Sequence, residues 1–344
     1  LPGSPDHGPG QRREDLRLPV AQHVDHAPRW QVHIGQGQHR ILGHRPLHPR
    51  ADAEGVAGAH PSQWHGLKSL STTEPLAELH AADDNDNRLV LHPSELDNFV
   101  KCPLHWFLNA HGGSDSTFSA NLGTLVHSVF ESADISTQTE EQLWSLVESK
   151  WHTLSFESAW LAQAGERKAK RIVSNLVQYL RKFEADGAQV IGREVSFQFK
   201  SGQATVSGQV DRLELFPDGR VMIVDLKTGS RDISKDQAAE HAQLGMYQLA
   251  FENGAFDHLT EMPTEATLAG AKLLLISGDK PVERSQESLA SNEQSRARFE
   301  EMIHIATEGM ADRVFVAQVG SHCENENEFG SCQLHLVKAV TYVG

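Results

Sequence analysis

The chain has 344 residues, with 31 Lys and Arg against 46 Asp and Glu for a formal net charge of -15. No apolar run approaches the roughly 20 residues that cross a bilayer, which excludes a helical membrane protein, and no G-x-x-x-x-G-K-[ST] occurs, which excludes a phosphate-loop ATPase. Three cysteines are too few for a secreted disulfide framework, so the chain reads as soluble and cytoplasmic.

In chain order, the first 65 or so residues hold nine of the 20 histidines among Arg, Pro and Gly, without a 3.6 or 2.0 apolar period. They read as a largely disordered extension. Leu1 in the place of a methionine suggests a fragment or a shifted reading frame. A polar linker, Asp83, Asp84, Asn85, Asp86 and Asn87, closes the extension at residue 87 and opens a folded domain at 88–344. Ser94 with Asp97 three residues on resembles a capping box for a helix carrying Leu96, Phe99, Val100, Leu104, Phe107 and Leu108. Cys102 lies in it as an apolar packer. From Asn121 to Ala133, Leu122, Leu125, Val126, Val129 and Phe130 form one helical stripe, and His127 falls roughly 130° from its centre. Gly123, one turn earlier, leaves room for something to approach. Helices at 143–151 and 165–185 follow, the second gathering Arg167, Lys168, Lys170, Arg171, Arg181 and Lys182. Such a run is most often a solvated face, but it is also enough for a local basic strip.

Strands are expected near 189–199, 203–215, 220–226 and 271–276, with a helix at 235–251 between the last two and another at 292–308. Helices first, then a mixed sheet with an intervening helix, make an α/β core. Glu194 in the first strand reads equally well as an edge-strand charge or as support for a site. Gln243 and Tyr247, four apart on one helix, project toward the same neighbour; alone, a surface pair or a packed tyrosine explains them.

The densest information lies in GQVDRLELFPDGRVMIVDLKTG, residues 208–229. Pro217-Asp218-Gly219 is turn chemistry, so the flanking segments pair antiparallel. With a loop centred on Asp218, Asp211 and Asp225 come opposite each other, their Cβ atoms about 5 Å apart. Lys227 returns to the same face two residues later. Like charges side by side repel, and Val221, Ile223 and Val224 imply a strand covered on both faces, where an unpaired carboxylate is costly. A divalent cation resolves the conflict: magnesium takes hard oxygen ligands plus substrate phosphate, and a lysine steers the attacking water.

Taken together, GTLVH ending at His127, GQVD ending at Asp211, VDLKTG holding Asp225 and Lys227, and QLGMY from Gln243 to Tyr247 resemble the RecB-like branch of the PD-(D/E)xK nucleases, in that family's order. The wording of SELDNFVKCPLHWFL and QLGMYQLA is similar to the C-terminal nuclease modules of actinobacterial AdnAB-type helicase-nucleases. The resemblance implies a restriction-endonuclease-like mixed sheet flanked by helices. It also implies magnesium or manganese on His127, Asp211, Asp225 and the Leu226 carbonyl, with Lys227 at the water and Gln243 and Tyr247 in support. Many relatives hold an iron-sulfur cluster on one upstream and three downstream cysteines, a pattern that would use Cys102, Cys323 and Cys332; here Glu326 stands at the middle downstream position, which argues against an intact cluster. His322 or His335 would have to rescue a metal there. The expectation is a magnesium-dependent exonuclease module on single-stranded DNA, coupled to a helicase domain or subunit in double-strand break repair and recombination. The rivals are a catalytically silent DNA-binding or scaffolding domain and a structural zinc protein.

Overall fold

A computed structural model describes residues 74–79, 88–112, 118–134, 136–154, 156, 158–229 and 232–318. The histidine-rich extension, the 83–87 linker, and Cys323, Glu326 and Cys332 lie outside them.

Strand β1 (Leu89–Leu91) leads into helix α1 (Pro93–Lys101). The helix starts two residues earlier than the Ser94 capping signal suggested, with His92 at the N-cap. Pro93 occupies the first helical position, where its missing N–H costs nothing, and the Glu95 carboxylate accepts from the His92 backbone N–H at 3.2 Å. The single helix expected through Leu108 is two: Cys102 is extended, as a residue before proline prefers, and α2 (Pro103–Gly112) begins after it. Helices α3 (Phe118–Ser132), α4 (Glu140–Ser149) and the 27-residue α5 (Ala159–Ala185) follow.

Strands β2 (Gln189–Ser201), β3 (Ala204–Leu215) and β4 (Arg220–Lys227) come next, then short helices α6 (Lys235–Ala239) and α7 (Ala242–Glu252). The helix expected at 235–251 breaks at Glu240 and His241, where Gln286 of the neighbouring strand donates to the carbonyls of Ala238 and Ala239. Strands β5 (Thr267–Leu275) and β6 (Val282–Glu287) and helix α8 (Glu293–Ala311) complete the order. β6 carries only Val282 as an apolar residue, so it left no alternating signal to read.

The described strands form one mixed sheet, β1-β3-β4-β5-β6, with β2 pairing β3. Strands β1/β3 and β4/β5 are parallel; β2/β3, β3/β4 and β5/β6 are antiparallel. One face packs Val221, Ile223, Leu273 and Val206 against α1, α7 and α8, while Val224, Leu226 and Leu274 on the other meet α3, α4 and α5. The strand holding Asp225 is therefore covered on both sides, as its apolar run implied. Two features of β3 position the site. Its residues 204–206 pair with β1 and 212–215 with β4, leaving 207–211 without a strand partner on that edge among the described residues. Its alternation also slips: Val210 faces the first core, yet Arg212 lies on the other face over the rings of Phe130 and Phe183.

Candidate active site

The β3–β4 turn forms as its residues dictate. Phe216 N–H donates to Arg220 O and Gly219 N–H to Phe216 O, with Gly219 in the left-handed region at φ 83°. Paired residues run from Leu215↔Val221 to Arg212↔Val224, so the next step sets Asp211 opposite Asp225. There the ladder gives way to a side chain: Leu226 N–H donates to Asp211 Oδ2 at 2.6 Å. A strand residue's N–H and C=O point to the same edge, so the Leu226 carbonyl also faces β3.

On its other edge β3 pairs with β2 as Arg193↔Arg212 and Val195↔Val210, which brackets Glu194 against Asp211. Glu194, Asp211 and Asp225 therefore form a row of carboxylates across three neighbouring strands. Glu194 takes φ 47°, the one left-handed non-glycine among the described residues, and its carbonyl accepts from Gln209 Nε2 at 2.7 Å. The slip in β3 alternation falls at the same step. The Glu194 carboxylate stands beside Asp211.

His127 reaches the row from α3. Its helical stripe is buried as expected, the ring stays half-exposed off that stripe, and Nδ1 lies 3.4 Å from Asp211 Oδ1. A Cβ on Gly123 would stand 2.9 Å from Thr228 Oγ1, so the glycine lets α3 approach the segment after β4. Ligand atoms of His127, Glu194 and Asp211 lie within 4.8 Å of one another.

Asp225 is engaged differently. Its Oδ2 is 2.8 Å from Lys227 Nζ, and its Oδ1 accepts from Gln243 Nε2 at 2.9 Å and from the Tyr247 hydroxyl at 3.2 Å. Lys227 Nζ donates to Gln243 Oε1 at 2.9 Å, and Gln243 Nε2 to Tyr247 Oη at 2.6 Å. The Gln243 and Tyr247 pair from α7 therefore braces the carboxylate and the ammonium together.

Electrostatics follow from that packing. Burial pushes the Asp225 carboxyl up, with the Lys227 charge opposing and Asp211 adding to it. For Lys227, burial favours the neutral amine, but Asp225 outweighs it and holds the group protonated above the usual lysine value. Burial and then the Asp211 charge raise Glu194. His127 stays above its ordinary value although burial works against it, because the Asp211 hydrogen bond and the charges of Asp211, Asp225 and Glu194 prevail. Tyr247, buried beside Asp225, is pushed well above 10 and remains a donor.

Two carboxylates and an imidazole converging at this range fit a small divalent cation with oxygen and nitrogen ligands. Asp225 Oδ2 is buried beside them with the Lys227 ammonium as its partner. These groups line a cleft of about 670 Å³ that also takes in His92, Ser207, Gln209 and Thr228. It opens along the edge of β3 left free between β1 and β4. The His92 ring secures that edge, Nδ1 lying 2.7 Å from Ser207 O.

The structure thus brings together His127, Asp211, Asp225, Leu226, Lys227, Gln243, Tyr247 and Glu194. Cys102 stands apart: it is buried under Leu104, and its Sγ accepts from Gln318 N–H at 3.4 Å. From the sequence Glu194 reads equally well as an edge-strand charge or as support for a site. Its signal was a second turn, since Gly202-Gln203 between paired Ser201 and Ala204 puts Glu194 opposite Asp211 by the count used for Asp225. His92, Ser207 and Gln209 carried no readable signal, because only the gap beside β3 brings them to the cleft.

Among solved structures, the chain is similar to a "putative exonuclease" from Eubacterium rectale at 14% identity and TM-score 0.40, over 69% of this chain and 92% of that one. It is also similar to SSO0001 at 12% identity and TM-score 0.31, over 67% and 78%. No curated protein matches the chain. The family model for the PD-(D/E)XK nuclease superfamily matches residues 91–334, which include the three-carboxylate row, Lys227 and the α7 pair. With that match over most of its length and a mixed sheet flanked by helices, the chain belongs to the PD-(D/E)XK nuclease superfamily.

Proposed function

We propose that this chain is a magnesium- or manganese-dependent deoxyribonuclease that trims single-stranded DNA from an end. The observation that supports the reading most is the row Glu194, Asp211 and Asp225, flanked by His127 and by a protonated Lys227 in one cleft. His127, Glu194 and Asp211 would hold the cation, with Asp225 and the Leu226 carbonyl at its border. When bound, the cation supplies Lewis-acid polarisation of the phosphate and an acidified water. Lys227, kept as an ammonium by Asp225, suits orienting a phosphate oxygen or the water rather than removing a proton. Gln243 and Tyr247 hold Asp225 and Lys227 in register, so that neither reorganises as charge develops.

The absence of a motor motif and the net charge of -15 suit a module that takes its translocation and much of its DNA grip from a helicase domain or subunit. That arrangement fits processing of broken DNA ends in repair and recombination. The test uses a 5′-labelled single strand with magnesium. The parental chain should shorten it progressively, while chelator or Asp225→Ala abolishes cleavage with the far-ultraviolet spectrum retained. Cleavage by the alanine variant at the parental rate would overturn the assignment, and binding without any cleavage by the parental chain would favour a silent scaffolding domain.

A further inference from the structure

The three carboxylates of the cleft are held in different ways. Asp211 Oδ2 accepts from Leu226 N–H, and both oxygens of Asp225 are engaged by Lys227, Gln243 and Tyr247. Among the described residues no hydrogen bond reaches the Glu194 carboxylate; the bond at this residue goes to its backbone carbonyl. Glu194 is half-buried on a strand with water on one side, and the Asp211 charge repels it. A flexible glutamate so placed would turn outward, so the direction of its carboxylate depends on how its backbone is held.

That backbone is held from the next strand. Gln209 of β3 stands opposite Ser196 of β2, two residues along from Glu194. Its side chain therefore rises on the face that Ser196 and Glu194 share and meets Glu194 on the diagonal. All three line the cleft. From there Gln209 Nε2 donates to the Glu194 carbonyl at 2.7 Å. A strand carbonyl ordinarily lies in the sheet, whereas side chains stand roughly perpendicular to it, so this bond requires the peptide after Glu194 to be tipped out of the sheet toward Gln209. The left-handed φ of 47° at Glu194 supplies the tip. The pairs Arg193↔Arg212 and Val195↔Val210 keep the strands in register on either side, and Gln209 adds a hydrogen bond that only the tipped peptide can make. Because its amide holds the main chain, both oxygens of the Glu194 carboxylate stay open to a ligand.

We infer that Gln209 is a positioning residue: its side-chain amide locks the backbone of Glu194 in the left-handed form that aims the carboxylate at the cation shared with His127 and Asp211. This rests on the reading of the cleft as a metal-dependent nuclease site, and the experiment separates the two. Gln209→Met keeps the length of the side chain and removes the donor. Gln209 is exposed, so the variant should fold and melt within about 4 °C of the parental chain. Its crystal structure in chelator should show Glu194 at negative φ with the carboxylate turned away from Asp211. Manganese affinity, measured by calorimetry, should fall about 10-fold, as for the loss of an outer partner. An effect exercised only through Glu194 is non-additive with the loss of that ligand, so in a Glu194→Gln background Gln209→Met should change manganese affinity less than 2-fold. A Glu194 that stays left-handed in Gln209→Met, or an equal manganese loss in both backgrounds, would overturn the positioning role. Neither readout involves cleavage, so a parental chain that binds manganese and cuts no DNA would count against the nuclease reading and leave these outcomes to decide the role of Gln209.

Discussion

Glu194 is the residue at which fold and site conflict most. A left-handed glutamate costs on the order of 1–3 kcal/mol, and burial and then the Asp211 charge raise its pKa. Such strain persists when the surrounding ladder over-determines it, and the bracketing pairs on β2 and β3 do that. Glu194→Asn tolerates the same backbone and removes the charge. In chelator it should raise the melting temperature by about 2–4 °C, the response to roughly 1 kcal/mol in a domain of this size, while abolishing manganese binding. A lower melting temperature would show that the glutamate is not strained. Glu194→Gln, which keeps size and shape, should weaken manganese binding by at least the 10- to 100-fold that losing an outer partner costs; unchanged affinity in calorimetry would confine the site to other groups. Asp211, Asp225 and Lys227 were legible because one turn and a period of two determine their relation. Glu194 was obscured because its backbone departs from that period.

At the scale of elements, the site depends on how closely α3 approaches the end of β4. Gly123→Ala would press a methyl against Thr228 Oγ1, shifting the helix that carries His127. A displacement near 1 Å at a catalytic group costs about 100-fold, so the variant should lose about 10- to 100-fold in cleavage with little change in melting. Adding Thr228→Ala removes the obstruction and should recover most of the loss; a double variant no better than Gly123→Ala would place the effect elsewhere. The order of helices and strands could be read from apolar spacing, since most elements have one buried face. Misreadings fell where a local competitor prevailed. Pro103 drove Cys102 out of the helix, Gln286 took the carbonyls that would have continued α6 into α7, and β6 is too polar to announce itself. The brace by Gln243 and Tyr247 was legible only as an i, i+4 pair, since its partners come from a strand 16 or more residues away.

For the whole molecule, three carboxylates gathered in one cleft destabilise the metal-free chain, and a cation that binds the native state alone should relieve this. At 100 times its dissociation constant such a ligand stabilises by about 2.7 kcal/mol. Magnesium or manganese should therefore raise the melting temperature of the parental chain, and should leave that of Asp211→Asn near its metal-free value. No described helix is long and apolar enough to cross a membrane. The central claim is that neighbouring strands and α3 bring His127, Glu194 and Asp211 to one divalent cation. Crystals soaked in manganese and measured at its absorption edge test it most directly. One strong anomalous peak should stand about 2.0–2.3 Å from ligand atoms of those three residues; a peak elsewhere, or none in the cleft, would rule this metal site out.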